Sequence, residues 1–492
     1  MSAGARAMGR NALLVDPQPK FDLSPYLFMQ FMEALGTTDP SVEAGWDFSR
    51  SCWREDLIKV TRELAPTLIR WPGGTLTAYY RWKEAIGPPK RRKPLMNLCW
   101  EGVETNQVGT HEFIDFCRQV KADPLMVVNF ESEGSARWTR DPAGSLRQAG
   151  LREAAEWVDY CNNPKSTLRK KNGAPQPFDV RLWQIGNETS YDKHGFDCET
   201  TAKRTVAFAK AMRKADPTIR LIGWGDSGWA PRMLQVAGEH IEYIAFHYHF
   251  DSGLPNSPLK PNEYRKDPDR TWHHLMNACK SLAQRLGELR QEVSGHDVGL
   301  AMTEGHFALP GHNRGSVLAT WAAGVACARL LNVQVRNGDI LKIATLADFC
   351  GSLWTVNAVM IPTPRERVGE VYMMPVARIM SLYRKHMGKK AVDVKAAPDG
   401  LDVTASRSGK RIYLYVVNTN RLRAVRARLA VKGLPITSGQ VFEIAEDPML
   451  EMDSTIPGAF APKKHALPNN ATWDFAPASV TAVELPVEES KR

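Results

Sequence analysis

The sequence predicts an α/β protein: a (β/α)8 TIM barrel over residues 21–387 with an appended antiparallel β-sandwich over 388–492. Three observations carry this. Short apolar runs alternate with amphipathic stretches through the first three quarters of the chain, the pattern of a parallel sheet covered by crossover helices. The 492 residues leave room for a barrel of about 250 residues and more. Thirteen of the 14 tryptophans and all eight cysteines lie before residue 355, so the tail is a different kind of domain.

The apolar runs are Tyr26–Phe31, Thr67–Trp71, Pro124–Asn129, Val180–Ile185, Ile219–Trp224, Tyr243–Phe246, Val298–Met302 and Leu341–Leu346. Between most of them lie helical stretches: Glu55–Ala65, His111–Val120, Arg147–Cys161, Thr200–Lys214 and Thr271–Val293. The sixth crossover, 248–297, is long and begins with a Pro/Asn-rich loop; Pro375–His386 reads as an eighth or linker helix. In the tail, Leu401–Ala405, Ile412–Val417, Val425–Val431 and Val480–Val487 read as strands. Val425, Ala427, Leu429 and Val431 alternate with Arg426, Arg428 and Ala430, which predicts one buried and one wet face.

With 43% hydrophobic and 24% charged residues, the composition excludes a disordered, collagenous or coiled-coil chain. A net charge of +10 over this length allows a nucleic-acid partner without arguing for one, and none is expected. The basic run Lys90-Arg91-Arg92-Lys93 reads as a solvated loop. No two cysteines are closer than 18 positions, so there is no CxxC motif; free thiols in a reducing, cytoplasmic compartment are expected. The apolar stretch Ala12–Val15 is too short for the core of a secretory signal. The longest apolar segment, Ile343–Ile361, is interrupted by Asp348, so no membrane span is expected.

Active sites of such barrels sit at the C-terminal ends of the strands. There the sequence offers Arg70-Trp71-Pro72-Gly73-Gly74 after the second run, Asn129 after the third and Gly186-Asn187-Glu188 after the fourth. His247-Tyr248-His249 follows the sixth and Thr303-Glu304-Gly305 the seventh. Two carboxylates on one rim are what glycoside hydrolysis needs: one protonated to donate to the leaving oxygen, one ionised to attack. Glu188 is assigned as the acid/base and Glu304 as the nucleophile. Asn187 would hold a substrate 2-hydroxyl, Tyr248 would orient Glu304, and Arg70 would pair with a rim carboxylate. His247 and His249 at i, i+2 could share a metal, but a third ligand at matching spacing is missing, and neither metal nor organic cofactor is expected. His306 and His312 stand on the loop after strand seven. Trp71, Trp82, Trp100, Trp138, Trp224 and Trp229 lie at or past strand ends, where aromatic faces suit sugar rings. Gly73-Gly74 permits a close backbone approach and, lacking a following Lys-Ser/Thr, is no phosphate loop.

Taken with Trp82, Ile86-Gly87-Pro88, Gly109-Thr110-His111-Glu112-Phe113 and Asp115, the Arg70–Gly74 stretch resembles glycoside hydrolase family 51, the α-L-arabinofuranosidases of a large clan of retaining barrel glycosidases. Gly186-Asn187-Glu188 matches the family's acid/base motif, His247-Tyr248 its strand-six tyrosine, and Glu304 stands at its nucleophile. Glu33 in Phe31-Met32-Glu33-Ala34-Leu35-Gly36 matches a glutamate that contacts the sugar in subsite −1. The resemblance further implies a strand added to the sandwich by residues 1–20, and a homo-oligomer. Three positions depart: Thr75 replaces a sugar-binding asparagine after Pro-Gly-Gly, Trp354 stands for a glutamine on the last strand's loop, and Gly305-His306 follow the nucleophile where a tryptophan is usual. The expectation is a retaining glycosidase with a carbohydrate substrate, most simply a terminal α-L-arabinofuranoside. The alternatives are another furanoside, a xyloside, internal cleavage of a β-glucan or xylan, and a carbohydrate-binding pseudoenzyme.

Overall fold

The computed structural model describes residues 11–130, 144, 147, 149–191, 196–309, 313–362 and 370–487. Seven strands run parallel in sequence order: Met29–Phe31, Leu68–Trp71, Asp123–Val128, Leu182–Ile185, Arg220–Trp224, Tyr243–Phe250 and Gly299–Phe307. The eighth position is shared by Leu341–Ile343, beside the seventh strand, and Asp348–Gly351, beside the first. Between them the Ala344 amide donates to the Tyr26 carbonyl at 3.0 Å, and the Met29 amide donates to the Ala344 carbonyl at 2.9 Å, closing the ring. Outside lie the helices Glu55–Leu64, Thr110–Val120, Leu151–Asn162, Cys198–Ala215, Ala230–Ala237, Pro268–Glu292, Trp321–Arg336 and Pro375–Lys385.

Two strands depart from the sequence expectation. Tyr26–Phe28 belongs to a 3-10 turn, Pro25–Phe28, because Ser24 accepts from the Tyr26 amide and Pro25 fixes the first turn. The eighth run is broken where the Thr345 hydroxyl bonds the Ala347 carbonyl, a local alternative to the ladder.

The barrel is filled from every strand. Met29, Leu68, Leu125, Leu182, Ile222, Tyr243, Ala301 and Ile343 form its buried inner layer. A strand returns to the same face every second residue, so Arg70 stands above Leu68, Gln184 above Leu182 and Thr303 above Ala301. The floor of the site is thus set by the barrel core beneath it.

The second region is a nine-stranded sheet in the order Lys463–Ala466, Gln440–Ile444, Val480–Pro486, Arg411–Asn418, Leu401–Ser408, Lys390–Ala396, Ala12–Asp22, Val425–Val431 and Thr472–Phe475. Leu13, Leu429 and Val431 from one end share a core with Val441, Val483 and Leu485 from the other, so the sheet folds over on itself. It is not wholly antiparallel, since Ala12–Val15 pairs in parallel with Arg428–Val431. Trp321–Arg336 is buried along nearly its whole length. It packs against the barrel on one side and the sheet on the other, where Asp402 accepts from Arg329 and Asn332 and pairs with Arg336. Burial all round erases the amphipathic signal.

The basic run is not uniformly solvated. Lys90 and Lys93 are exposed, but the Arg92 side chain is only 2% exposed and pairs with Glu112 through two bonds of 2.8 Å, while also donating to the Gly87 and Gln107 carbonyls. Arg92→Ala leaves Glu112 buried without its partner and is expected to cost about 3–5 kcal/mol. Lys90→Ala and Lys93→Ala should each change stability by less than about 0.5 kcal/mol. Urea denaturation of the three variants checks this, and equal effects would return Arg92 to the solvated loop.

Candidate active site

The site lies above the barrel core, at the C-terminal ends of the strands, around Arg70. This side chain is fully buried. Its Nη1 donates to Glu304 Oε1 at 2.8 Å, its Nε to Gln184 Oε1 at 3.0 Å, and its Nη2 to Asn187 Oδ1. Strands two, four and seven are therefore tied together by one guanidinium. Asn187, also fully buried, keeps an Nδ2 with no protein partner.

Glu188 follows in a left-handed backbone conformation (φ 51°), after Gly186 at φ 75°. For a residue with a Cβ this costs about 1–2 kcal/mol, and it turns the carboxylate back over the barrel. His247 Nδ1 lies 2.8 Å from Glu188 Oε1 and its Nε2 lies 3.0 Å from the Thr303 hydroxyl. Burial drives the His247 pKa down to about 3, so the ring is neutral.

Glu304 sits within strand seven rather than after it. Met302 pairs with Phe246 and Glu304 pairs with His247, which leaves Thr303 as an extra residue, a bulge. The bulge lets both Thr303 and Glu304 reach the His247 side. Beyond it, strands six and seven continue upward as a pair, and the stride of two brings His249 and His306 to the same face. Their ring centroids are 4.5 Å apart.

A cavity of about 300 Å³ opens here, lined among others by Glu33, Thr75, Trp100, Glu188, Glu304 and Trp354. Phe31, His249, His306, Asn313 and Asp348 complete much of the wall. Glu33 Oε1 accepts from the Leu76 amide at 3.3 Å and from Trp100 Nε1 at 3.2 Å, and Trp100 meets Trp354 edge-on with centroids 5.6 Å apart. A Cβ on Gly74 would come within 2.7 Å of Glu304 Oε1 and 2.9 Å of Glu33 Oε2, so only glycine allows this approach.

Other sequence-predicted residues are placed elsewhere. Tyr248 points to the opposite face of its strand, with Phe250 5.9 Å away, because alternation sends His247 and His249 inward. It does not orient Glu304, and at the level of the site the inward strand-six residues are His247 and His249. Trp71 stacks on Phe113 at 5.2 Å in the core outside the barrel, and Asn129 donates to the Tyr80 carbonyl at 3.2 Å; neither lines the cavity. Trp82 stacks on Trp157, Trp224 is fully buried beside His247, and Trp229 packs at the barrel core. Trp138 and His312 lie outside the described residues. Asp348 and Asn313 are wall residues that no motif announced; only the interruption of an apolar run marked Asp348.

Glu188, His247 and Glu304 each offer an atom within 4.8 Å of the others, a spacing that could hold a metal ion. Arg70, 2.8 Å from Glu304, places a fixed positive charge against such use. A model of the α-L-arabinofuranosidase 1 domain matches residues 60–257. The intracellular exo-α-(1→5)-L-arabinofuranosidase of Streptomyces lividans is 29% identical over 468 residues, covering 84% of this chain and 65% of that relative. The Bacillus subtilis intracellular exo-α-(1→5)-L-arabinofuranosidase 1 is 26% identical over 66% of this chain and 64% of its own. The chain thus spans just under two thirds of the length of these curated relatives. The crystal structure of the Thermotoga maritima α-L-arabinofuranosidase in an arabinose complex superposes with a TM-score of 0.77 at 24% identity, covering 97% of this chain and 100% of that one.

The chain is thus similar to the α-L-arabinofuranosidases.

In this chain the carboxyl groups around the cavity are electrically unequal. Burial pushes Glu188 up to about 7. Burial, and then the charge of Glu304, pushes Glu33 well above its ordinary value, and burial does the same for Asp348, aided by the charges of Glu304 and Glu33. The folded state therefore holds protons that the unfolded state has already lost above the ordinary carboxylate values of 3.8–4.5. The sign follows: stability from these groups is present at low pH and is lost as pH rises through about 7. Glu33→Gln removes one such group, so its melting temperature should fall less steeply above pH ~5 than the parent's. Scanning calorimetry across that range checks it, and parallel slopes would count against a protonated Glu33.

Proposed function

We propose that the chain hydrolyses terminal α-L-arabinofuranosyl bonds with retention of anomeric configuration, using Glu304 as nucleophile and Glu188 as acid/base. The observation that carries this is the separation of the pair. One oxygen of each lies within 4.8 Å of the other at a single cavity, near the roughly 5–5.5 Å of double displacement and short of the roughly 6.5–9.5 Å that an intervening water needs. The names of the curated relatives and the family-model match favour the arabinofuranoside, and a cavity of about 300 Å³ bounded by Trp100 and Trp354 suits a single terminal sugar.

In the first step a Glu304 oxygen attacks the anomeric carbon. The bond to the leaving oxygen breaks, and that oxygen takes the Glu188 proton. In the second step the Glu188 carboxylate takes a proton from water, and the water oxygen attacks the same carbon and expels Glu304. Arg70 pairs the charge of Glu304 before attack and after release. Neutral His247, donating from Nδ1 to Glu188 Oε1 while Nε2 accepts from Thr303, leaves Oε2 to carry the catalytic proton. The free Nδ2 of Asn187 is available to a sugar hydroxyl, whose bond would strengthen in the transition state.

We further infer a cytoplasmic location and a homo-oligomer. All eight cysteines are free, the curated relatives are named as intracellular, and among the described residues no helix is long and apolar enough to cross a membrane.

Glu304→Ala should lower kcat/KM on nitrophenyl α-L-arabinofuranoside by more than about 1,000-fold. Mass spectrometry after a 2-fluoro sugar should find the label on Glu304; a label elsewhere would remove it as nucleophile. Glu188→Ala should cost about 10²–10⁴-fold on an arabino-oligosaccharide and far less on a nitrophenyl glycoside, which needs little protonation. For the parent, kcat/KM on the oligosaccharide should fall as pH rises through about 7, because the acid is then lost. A profile flat across neutrality would exclude Glu188 as the acid.

A further inference from the structure

We propose that Asp348 and His306 together seat one hydroxyl of the sugar, on the side of the pocket opposite Asn187, and so select the substrate. The proposal rests on the retaining-glycosidase reading and adds a specificity-determining pair to it.

Asp348 opens the displaced second piece of strand eight and is 94% buried on the cavity wall, with 6% of its surface exposed. Its Oδ1 has no hydrogen-bond partner. A buried carboxyl left in that state costs free energy unless something else fills the place. Opposite it is His306, whose Nδ1 donates to the Phe307 carbonyl at 2.9 Å, so that Nε2 is the free nitrogen. That nitrogen lies 3.8 Å from Asp348 Oδ1. The gap is too wide for a direct hydrogen bond and narrow enough for one oxygen atom to bridge.

The two atoms differ in kind. Burial, with His249 beside it, pushes the His306 pKa down to about 3, so Nε2 carries a lone pair and accepts. Burial and the charge of Glu304 raise Asp348 well above the ordinary carboxylate range, and its protonated form can donate. One acceptor and one donor across such a gap match a hydroxyl, which gives one bond and takes one. A methylene in its place would leave both groups unpaired, which is the situation in which polar sites discriminate most strongly.

Strands four and eight stand across the ring from each other. The hydroxyl held here is therefore not the 2-hydroxyl near Asn187 but the 3- or 5-hydroxyl of a pentofuranose. The test is kcat/KM for nitrophenyl α-L-arabinofuranoside and its 3-deoxy and 5-deoxy analogues, with the parent, Asp348→Ala, Asp348→Asn and His306→Ala, each variant's melting temperature being recorded. The parent should lose about 100-fold or more on one of the two analogues. In Asp348→Ala and His306→Ala that ratio should shrink below about tenfold, because the normal substrate slows and the deoxy substrate does not. If Asp348→Ala fails to fold, His306→Ala carries the comparison, while Asp348→Asn, which keeps a donor, should stay near the parent's ratio. Hydrolysis with the parent's ratio unchanged in the folded alanine variants overturns the pair and leaves the glycosidase standing. A parent that discriminates against neither analogue does the same. A parent that hydrolyses no glycoside overturns both.

Discussion

The site depends on one buried cation. Arg70 is fully excluded from water, and a guanidinium there is tolerable only if its donors are met by acceptors in a fixed arrangement. Gln184, Asn187 and Glu304 supply them from strand four, the turn after it, and strand seven. The planar fork allows little freedom, so the positions of the nucleophile and of the turn that carries Glu188 follow from satisfying Arg70. The same requirement explains why the inner layer of the barrel changes from apolar to polar within one stride: Leu68 gives way to Arg70, and Leu182 to Gln184.

A second asymmetry separates the glutamates. Glu304 has a permanent cation against it, whereas Glu188 has a neutral imidazole and partial burial. Two identical side chains a few ångströms apart thereby stand in different electrostatic surroundings. His247 contributes by staying uncharged: a cationic ring at that position would compete with Arg70 for Glu304, 3.5 Å away, and would oppose the protonated form of Glu188. Trp224, edge-on to His247 with ring centroids at 4.7 Å, is part of the apolar packing that keeps it neutral.

Much of this was legible in the sequence because strand periodicity and the chemistry-bearing residues at strand ends are local signals. The eight apolar runs, Arg70, Gly186-Asn187-Glu188 and Glu304 follow from counting along a strand. What escaped the count has a physical cause each time. Tyr248 was assigned the orienting role beside Glu304, but alternation along strand six from Tyr243 and Ala245 puts His247 and His249 inward and Tyr248 on the other face; in strand seven the bulge at Thr303 changes which residues face inward. A bulge shifts the phase of every residue beyond it and leaves no compositional mark. Trp71 and Trp82 sit where a sugar platform was expected and instead fill the space between strands and helices, since a tryptophan at a strand end has the same sequence appearance in either role. Asp348 was seen only as the residue that spoiled an apolar span. Its place in the wall is created by the break at Thr345, a side chain to backbone bond that no periodicity reveals.

That break also shows how the remaining wall is held. Asp39, in the loop after strand one, accepts from the Ser352, Leu353 and Trp354 amides and from Asn357 Nδ2. A Cβ on Gly351 would fall within 2.1 Å of Asp39 Oδ2, so the strand must pass this carboxylate as bare backbone. Four donors on one buried carboxylate fix the turn that delivers Trp354, which meets Trp100, which in turn donates to Glu33. Loops on a barrel rim are usually the variable part of the molecule. Here the loop is bound as tightly as the strands, because its conformation is written into backbone amides rather than side chains. Substitutions along Ser352–Thr355 could therefore change the surface offered to a sugar without moving it. This is the condition under which a pocket's preference can shift while the two glutamates stay in register.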